Sequence, residues 1–379
     1  MTTTEIQRGL EGVNVADTKL CTIDGQKGQL IYAGYDIYDL AEHASFEEVA
    51  FLLWNLRLPT LEELSNLQAL LINERPLSDL NRSLITDLAG TAKPMRALEI
   101  CIAALGALDP KSNDFSAEQL KWTAARLTAR MPTVVAAFHR QRLGLDVIPP
   151  RDDLGHAANF LWCLKGDEPS ELEARVFDVA MTLHAEHEMN ASTFSAIVTA
   201  STMSDMYSAI ASAIGTLKGP LHGGANSAVF EMLEVIGDES NIESHIEAML
   251  ARGERVMGIG HRVYKTTDPR AIILEKLGEE LAENSSERRY FDLSRKVRDH
   301  LGERLSGRPL YPNVDFFSAS VYHMLGIPHD LYTPIFAVAR IAGWSAHLLE
   351  QYADNRLVRP NAVYSGEKHR LYEPIEARS

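Results

Sequence analysis

Apolar and polar positions follow a helical period along most of this chain. From Glu171 onward, Leu172, Val176, Val179, Ala180 and Leu183 recur at three- and four-residue spacing, as one buried helix face requires. Residues 227–252 carry another amphipathic pattern, 268–305 a more polar and therefore more exposed pair, and about Pro334 to Tyr352 a final helix. Residues 195–217 are rich in Ala, Ser and Thr, which suits a helix packed closely against another, since small side chains let backbones approach. Helix starts are marked as well. Ser45 with Glu48, Thr60 with Glu63, Ser116 with Gln119 and Ser170 with Glu173 have the spacing at which two side chains satisfy each other's free backbone N–H groups. Pro59, the Pro149-Pro150 pair and Pro169 interrupt the periodic runs and mark helix boundaries. One hairpin is expected, with Lys19–Ile23 and Gln29–Tyr32 flanking the turn-rich Asp24-Gly25-Gln26-Lys27-Gly28. The pattern predicts an all-α protein with a short N-terminal β-hairpin.

Three places break the helical pattern. Gly219, Pro220, Gly223 and Gly224 surround His222 between two long helical runs, where glycine and proline would cost about 1 and 3 kcal/mol in a helix interior. Gly258-Ile259-Gly260-His261 repeats the arrangement, and Gly307-Arg308-Pro309-Leu310-Tyr311-Pro312-Asn313 precedes Val314-Asp315 and an apolar run from Phe316. Backbone kept open in this way suggests close approach of a ligand.

Composition narrows the possibilities. A length of 379 residues allows a large core and two domains. A net charge of −15 opposes the phosphate neutralisation that drives nucleic-acid binding, so no nucleic-acid partner is expected. Met1–Gly9 has no apolar signal core and no stretch approaches the roughly 18 apolar residues of a membrane span. A soluble, cytoplasmic protein is expected. Cys21, Cys101 and Cys163, odd in number and widely separated, read as three buried thiols. His184, Glu186, His187 and Glu188 cluster at the end of one predicted helix, but the histidines are three apart and position 191 is Ala, so the zinc-binding His-Glu-x-x-His pattern fails and no metal is expected.

Neither glycine cluster fits a Walker loop, and Gly258-x-Gly260 lacks a third glycine because position 263 is Val. What remains is His222, His261 and Asp315, each placed after a break; two imidazoles and a carboxylate can serve as acid, electrophile and base. Each has a structural alternative: a turn residue for His222, a helix-start residue for His261, and for Asp315 an N-cap, which would lower its pKa and weaken it as a base. Between Arg252 and Arg270 stand five cations, Arg252, Arg255, Arg262, Lys265 and Arg270, against Glu254 and Asp268, a reversal that suits an anionic ligand. Arg340 lies in the apolar run Ile335–Gly343 and needs a carboxylate, either the protein's own or a substrate's.

The runs His184-Ala-Glu-His187-Glu-Met-Asn190-Ala-Ser192-Thr193, Lys218-Gly-Pro-Leu-His222-Gly-Gly-Ala-Asn226, Gly258-Ile-Gly-His261-Arg-Val-Tyr-Lys265, Asp268-Pro-Arg270, Tyr311-Pro-Asn-Val-Asp315-Phe-Phe-Ser318 and Arg359-Pro360 resemble, in this order, the citrate synthase family in its shorter bacterial and archaeal form. The likeness runs from Gly9 to Pro360. It implies condensation of oxaloacetate, acetyl-coenzyme A and water to citrate and coenzyme A, with no metal and no tightly bound cofactor. By the same resemblance, Asp315 takes a proton from the acetyl methyl group, His222 hydrogen-bonds the thioester oxygen, and His261 polarises and protonates the oxaloacetate carbonyl. His187, Arg270 and Arg340 hold the substrate carboxylates, and Arg359 does so from the neighbouring subunit of a homodimer. Met257, Gly258, Ile259 and Gly260 meet the coenzyme A adenine through their backbone, and Lys265 faces its phosphates. The implied domains are 1–221 with 321–379, large and dimer-forming, and 222–320, small and closing over the cleft. Ser227 stands where family members commonly carry an acid. Two rival readings remain: 2-methylcitrate synthase acting on propionyl-coenzyme A, because the motifs are shared, and a catalytically silent helical binding protein with the same fold.

Overall fold

The computed structural model describes residues 6–304 and 310–378. It opens with the expected hairpin, β1 (Cys21–Asp24) and β2 (Gln29–Tyr32), antiparallel with Cys21 opposite Tyr32. Asp24 closes the turn by accepting from the backbone N–H groups of Gln26 and Lys27 at 3.1 and 3.0 Å. A third strand that the sequence did not suggest, β3 (Tyr35–Asp36), pairs with β2.

The remaining regular structure is helical: α1 (Ile37–His43), α2 (Phe46–Asn55), α3 (Leu61–Glu74), α4 (Asp79–Leu88), α5 (Pro94–Leu108), α6 (Ala117–Arg142), α7 (His156–Lys165), α8 (Glu171–His184), α9 (Ala191–Ala200), α10 (Met206–Leu217), α11 (Ala225–Ile236), α12 (Ile242–Ala251), α13 (Pro269–Ala282), α14 (Arg289–Arg304), α15 (Val314–Met324) and α16 (Tyr332–Ala353). The fold is all-α, as the pattern predicted. Reciprocal capping boxes start α2, α3 and α8. At α6 only half of the expected box forms, since Ser116 accepts from Gln119 N while no bond returns from the Gln119 side chain.

The 195–217 stretch is two helices, not one. Met203, at φ +63°, turns the chain after α9, and the Asp205 side chain caps α10. Small residues then let α9 and α10 lie close, with Ser195 Oγ and Ser212 Oγ 2.6 Å apart. Likewise 227–252 divides into α11 and α12.

Helix α16 is the axis of the larger mass. Its residues from Ile335 to Leu348 are all buried, which an apolar helix needs on every face, and α2, α5, α6, α8, α9 and α10 pack around it. A second group, α11, α13 and α14, gathers on α15, with α12 against α14; α13 also returns to α8 and α1. The site lies where these two groups meet. Of the predicted break at Gly307–Asn313, residues 307–309 lie outside the described residues, while Pro312 pairs with Ile259 in an antiparallel bridge. Cys21, Cys101 and Cys163 are buried free thiols. Among the described residues no helix is long and apolar enough to cross a membrane, and no three His, Cys, Asp or Glu side chains converge as a metal would need.

Candidate active site

The glycine-proline run ends α10 and presents His222. Gly223 N–H donates to Leu217 O at 3.0 Å, and a Cβ on Gly223 would sit 2.3 Å from that oxygen, so only glycine permits the turn. The ring of His222 then reaches Ser192 at the start of α9. The backbone N–H of Ser192 donates to His222 Nε2 at 3.2 Å, and its Oγ lies 2.8 Å from the same nitrogen. A backbone N–H can only donate, so Nε2 is the acceptor and the neutral ring carries its proton on Nδ1. Burial, reinforced by Arg340, pushes His222 down to about 4.

His261 has the opposite tautomer. Its Nδ1 accepts from the N–H groups of Val263 and Tyr264 at 3.0 and 3.2 Å, leaving the proton on Nε2. Burial and the Arg270 cation hold it also at about 4. Gly258 and Gly260, at φ +74° and +86°, bring this ring into place. A Cβ on Gly258 would lie 2.7 Å from Val229 Cγ2 and 3.0 Å from the Phe316 Cα. The segment is tied to the start of α15 by Gly260 N to Tyr311 O (2.8 Å), Asn313 N to Gly258 O (2.9 Å) and Asn313 Nδ2 to Gly260 O (3.0 Å).

Asp315 is not the cap of α15. Asn313 is, accepting from Asp315 N at 3.0 Å. The lowered pKa expected of a cap is therefore absent. Burial raises the Asp315 carboxyl to about 6, with Asp268 adding to it and Arg270 and Arg340 opposing it. No side-chain hydrogen bond to another described residue occupies the carboxylate.

Arg270 is held by a bidentate pair with Asp268, Nη2 to Oδ2 at 2.7 Å and Nε to Oδ1 at 3.0 Å, both side chains buried. Asp268 also caps α13 and accepts from Val314 N at 3.2 Å, so one carboxylate joins Arg270 to the helix of Asp315. Arg340 is 1 % exposed and forms no ion pair with a described carboxylate. Its Nε donates to His184 O at 2.6 Å and its guanidinium lies 4.7 Å from the Phe336 ring centroid. Between the two fates open to it, the protein's own carboxylate is thus not taken. His187 stacks edge-on to His261, with centroids 5.1 Å apart; its Nε2 is buried without a partner among the described residues, and burial with Arg270 depresses it well below the usual range.

His187, His222, His261, Arg270, Asp315 and Arg340 therefore converge from the turn after α8, the loops before α11 and α13, and helices α13, α15 and α16. Met257–Gly260 borders them, with Lys265 exposed beside it, its N–H on Gly25 O at 2.8 Å. Arg359 lies in the exposed chain after α16, outside the cluster. Ser227 donates to His329 O at 2.8 Å, a bond that an ionised acid at this position could not make. A cavity of about 930 Å³ between α2, α3 and α6 touches none of these residues.

Sequence reasoning assigned no role to Asp268, Ser192, Trp344 or Asn313. Asp before Pro-Arg at a helix start could have pointed to the first, and an Asn two residues before Asp315 to the last. Nothing in the sequence pairs Trp344 with Ser192, whose Oγ accepts from Trp344 Nε1 at 3.1 Å.

Two neutral imidazoles of opposite tautomer, a weakly acidic carboxyl and two buried guanidinium groups define an acid–base site for an anionic ligand in an all-α protein. A family model described as "Citrate synthase, C-terminal domain" matches residues 9–361. The citrate synthase of Haloferax volcanii is 50 % identical over 99 % of both chains. A 2-methylcitrate synthase from Shewanella oneidensis is 39 % identical over 98 % of this chain and 97 % of its own. The structure of the ternary complex of carboxymethyl coenzyme A and oxaloacetate with citrate synthase from Thermoplasma acidophilum superposes with a TM-score of 0.93 at 34 % identity, covering 99 % of this chain and all of that one. The chain belongs to the citrate synthase family.

Proposed function

We propose that this protein condenses oxaloacetate with acetyl-coenzyme A and water to give citrate and free coenzyme A. The observation that carries the reading is Asp315: a carboxyl raised to about 6, without a side-chain hydrogen bond to a described residue, within the field of Arg270 and Arg340, the same cations that add to burial in holding His261 and His222 neutral. At neutral pH it is ionised and free to take a proton from the acetyl methyl group. His222 donates from Nδ1 to the thioester oxygen as the enolate forms, an interaction worth on the order of 3 kcal/mol. The enolate carbon attacks the ketone carbon of oxaloacetate, whose oxygen His261 polarises and protonates from Nε2. Water then cleaves the thioester. Arg270, Arg340 and His187 take the carboxylates of oxaloacetate, as arginine forks suit a diacid. Met257, Gly258, Ile259, Gly260 and Lys265 take coenzyme A.

Residues 222–320 act in this reading as a small domain closing over the larger one formed by 1–221 and 321–379, which shields the enolate from early protonation. Arg359 completes the site of the neighbouring subunit in a cytoplasmic homodimer. Its exposure after α16 supports this, because it has no place in its own chain's cluster.

Release of free thiol from acetyl-coenzyme A, dependent on oxaloacetate, tests the activity; none at any pH would leave a silent binding protein. Propionyl-coenzyme A is the alternative acyl donor, since one methyl group is worth only about 1–3 kcal/mol. The higher identity to a relative named citrate synthase than to one named 2-methylcitrate synthase favours acetyl. A larger kcat/KM for propionyl-coenzyme A would reverse that choice.

A further inference from the structure

One face of α16 carries Arg340, Gly343, Trp344 and His347, spaced as successive turns bring them into line. Each meets the segment His184–Ser192. Arg340 Nε donates to His184 O at 2.6 Å, Gly343 N to Ala185 O at 3.1 Å and Trp344 Nε1 to Ser192 Oγ at 3.1 Å, while His347 Nε2 lies 3.0 Å from Glu186 Oε1. Two of these four contacts belong to residues already placed at the site or holding it. The fourth, between Glu186 and His347, has no role in the reaction as described.

Glu186 is 0 % and His347 2 % exposed, a depth at which a lone charge is costly and a pair persists only with good geometry. Burial pushes the His347 imidazolium down, but Glu186, with Glu350 beside it, pushes it up further, and its pKa is raised. The second Glu186 oxygen is buried without a partner among the described residues, and a Cβ at position 343 would sit 2.2 Å from it, so the carboxylate fits only against glycine. The Glu186 backbone is pinned too: Tyr32 OH donates to its carbonyl at 2.7 Å and accepts from its N–H at 3.3 Å. His187 follows directly, and Arg340 lies two turns before His347 on α16.

We propose that Glu186 and His347 are a positioning pair for the oxaloacetate side of the site. Their buried contact locks the His184–Glu188 turn onto α16 and so fixes where the His187 ring and the Arg340 guanidinium point, without touching the substrate. The inference rests on the reading of His187 and Arg340 as ligands of the substrate carboxylates. Among the described residues, neither the His187 ring nor the Arg340 guanidinium has a carboxylate partner to orient it, so a loosened turn is felt in diacid binding first.

The test uses the full chain with Glu186→Ala, Glu186→Gln and His347→Ala, following steady-state kinetics, calorimetric binding of oxaloacetate and thermal melting. Glu186→Ala and His347→Ala raise the KM and Kd for oxaloacetate by roughly 10- to 100-fold, as a misplacement near 1 Å can, with KM for acetyl-coenzyme A unchanged. Glu186→Gln keeps an acceptor for the His347 N–H and recovers most of the loss. Lower melting temperatures with wild-type KM and Kd for oxaloacetate would overturn the proposal and leave the pair purely structural. If Glu186→Ala does not fold, Glu186→Gln and His347→Ala decide it by the same comparison. Absence of turnover in the wild type would instead defeat the assigned reaction, and the Kd for oxaloacetate would still judge the pair.

Discussion

Asp315 occupies the first turn of α15, where helix amides favour a negative charge, yet its carboxyl is raised to about 6. Burial outweighs both the helix end and the two arginines. Because His222 and His261 stay neutral down to about 4, the acid limb of kcat/KM is expected to follow Asp315 alone, rising through pH 6 to a plateau. A midpoint near 4 in the pH–rate profile would contradict this assignment. The same shift acts on stability. A carboxyl raised above its unfolded value of 3.8 contributes most below that pH, and the contribution is lost as pH rises through about 6. Asp315→Asn should therefore lose about 10² to 10⁴ in kcat while melting higher than wild type at pH 7.5, by about 1–3 kcal/mol in stability. Calorimetry beside the thiol assay checks both. The sequence located Asp315 but assigned the cap to the wrong side chain as its alternative, because Asn and Asp two residues apart satisfy the same spacing rule and only the backbone angles choose between them. Arg340 was legible as a buried cation in need of a partner; that its Nε rests on a carbonyl of another helix end is a long-range fact no local pattern carries.

Helix starts were the most readable feature, since a cap is a local bargain between side chain and backbone. Three of the four capping boxes formed in full. The break between α9 and α10 was not read, because Ser201–Ser204 contains neither glycine nor proline and the turn depends on Met203 at φ +63°, its N–H on Ala200 O at 2.8 Å. The two-residue strand β3 was too short to leave a period. Asn313 is the element-scale hinge of the site, capping α15 and binding the Gly258–Gly260 rail through both its N–H and its Nδ2. Asn313→Ala is expected to destabilise by about 1–2 kcal/mol from the lost cap. Its kcat/KM should fall further than that loss explains, since His261 and Asp315 lose their common tie. Denaturation and kinetics on the one variant separate the effects, and unchanged turnover would show that the rail holds without it.

At the scale of the molecule, the two helical groups share the site, and the exposed chain from Asp354 onward carries Arg359 away from it. Mixing Arg359→Ala with Asp315→Asn tests the homodimer reading. If Arg359 acts across subunits, the mixed dimer holds one site with both residues intact and recovers activity that neither parent has. If it serves its own chain, every site in the mixture stays defective. Two domains were allowed by length and implied by the family resemblance, but the surface where the two groups meet was not legible, because it rests on contacts between segments distant in the chain, such as Arg175 with Glu280, Ser227 with His329 and His187 with His261.

The N-terminal hairpin touches both groups at once. Its strands hold the 183–188 turn, through Tyr32 OH on Glu186 O at 2.7 Å and Ile23 N on Glu188 Oε1 at 2.9 Å. Its turn meets the residues after His261: Lys265 N–H binds Gly25 O at 2.8 Å, and a Cβ on Gly25 would lie 2.3 Å from Val263 O. That second contact is one backbone hydrogen bond, worth about 1 kcal/mol net, with Gly25 close against Val263 and Gly28 against Thr266. The hairpin Cys21–Tyr32, which looks like decoration on a helical protein, is thus a strap across the two groups, bonded through side chains on one side and through backbone on the other.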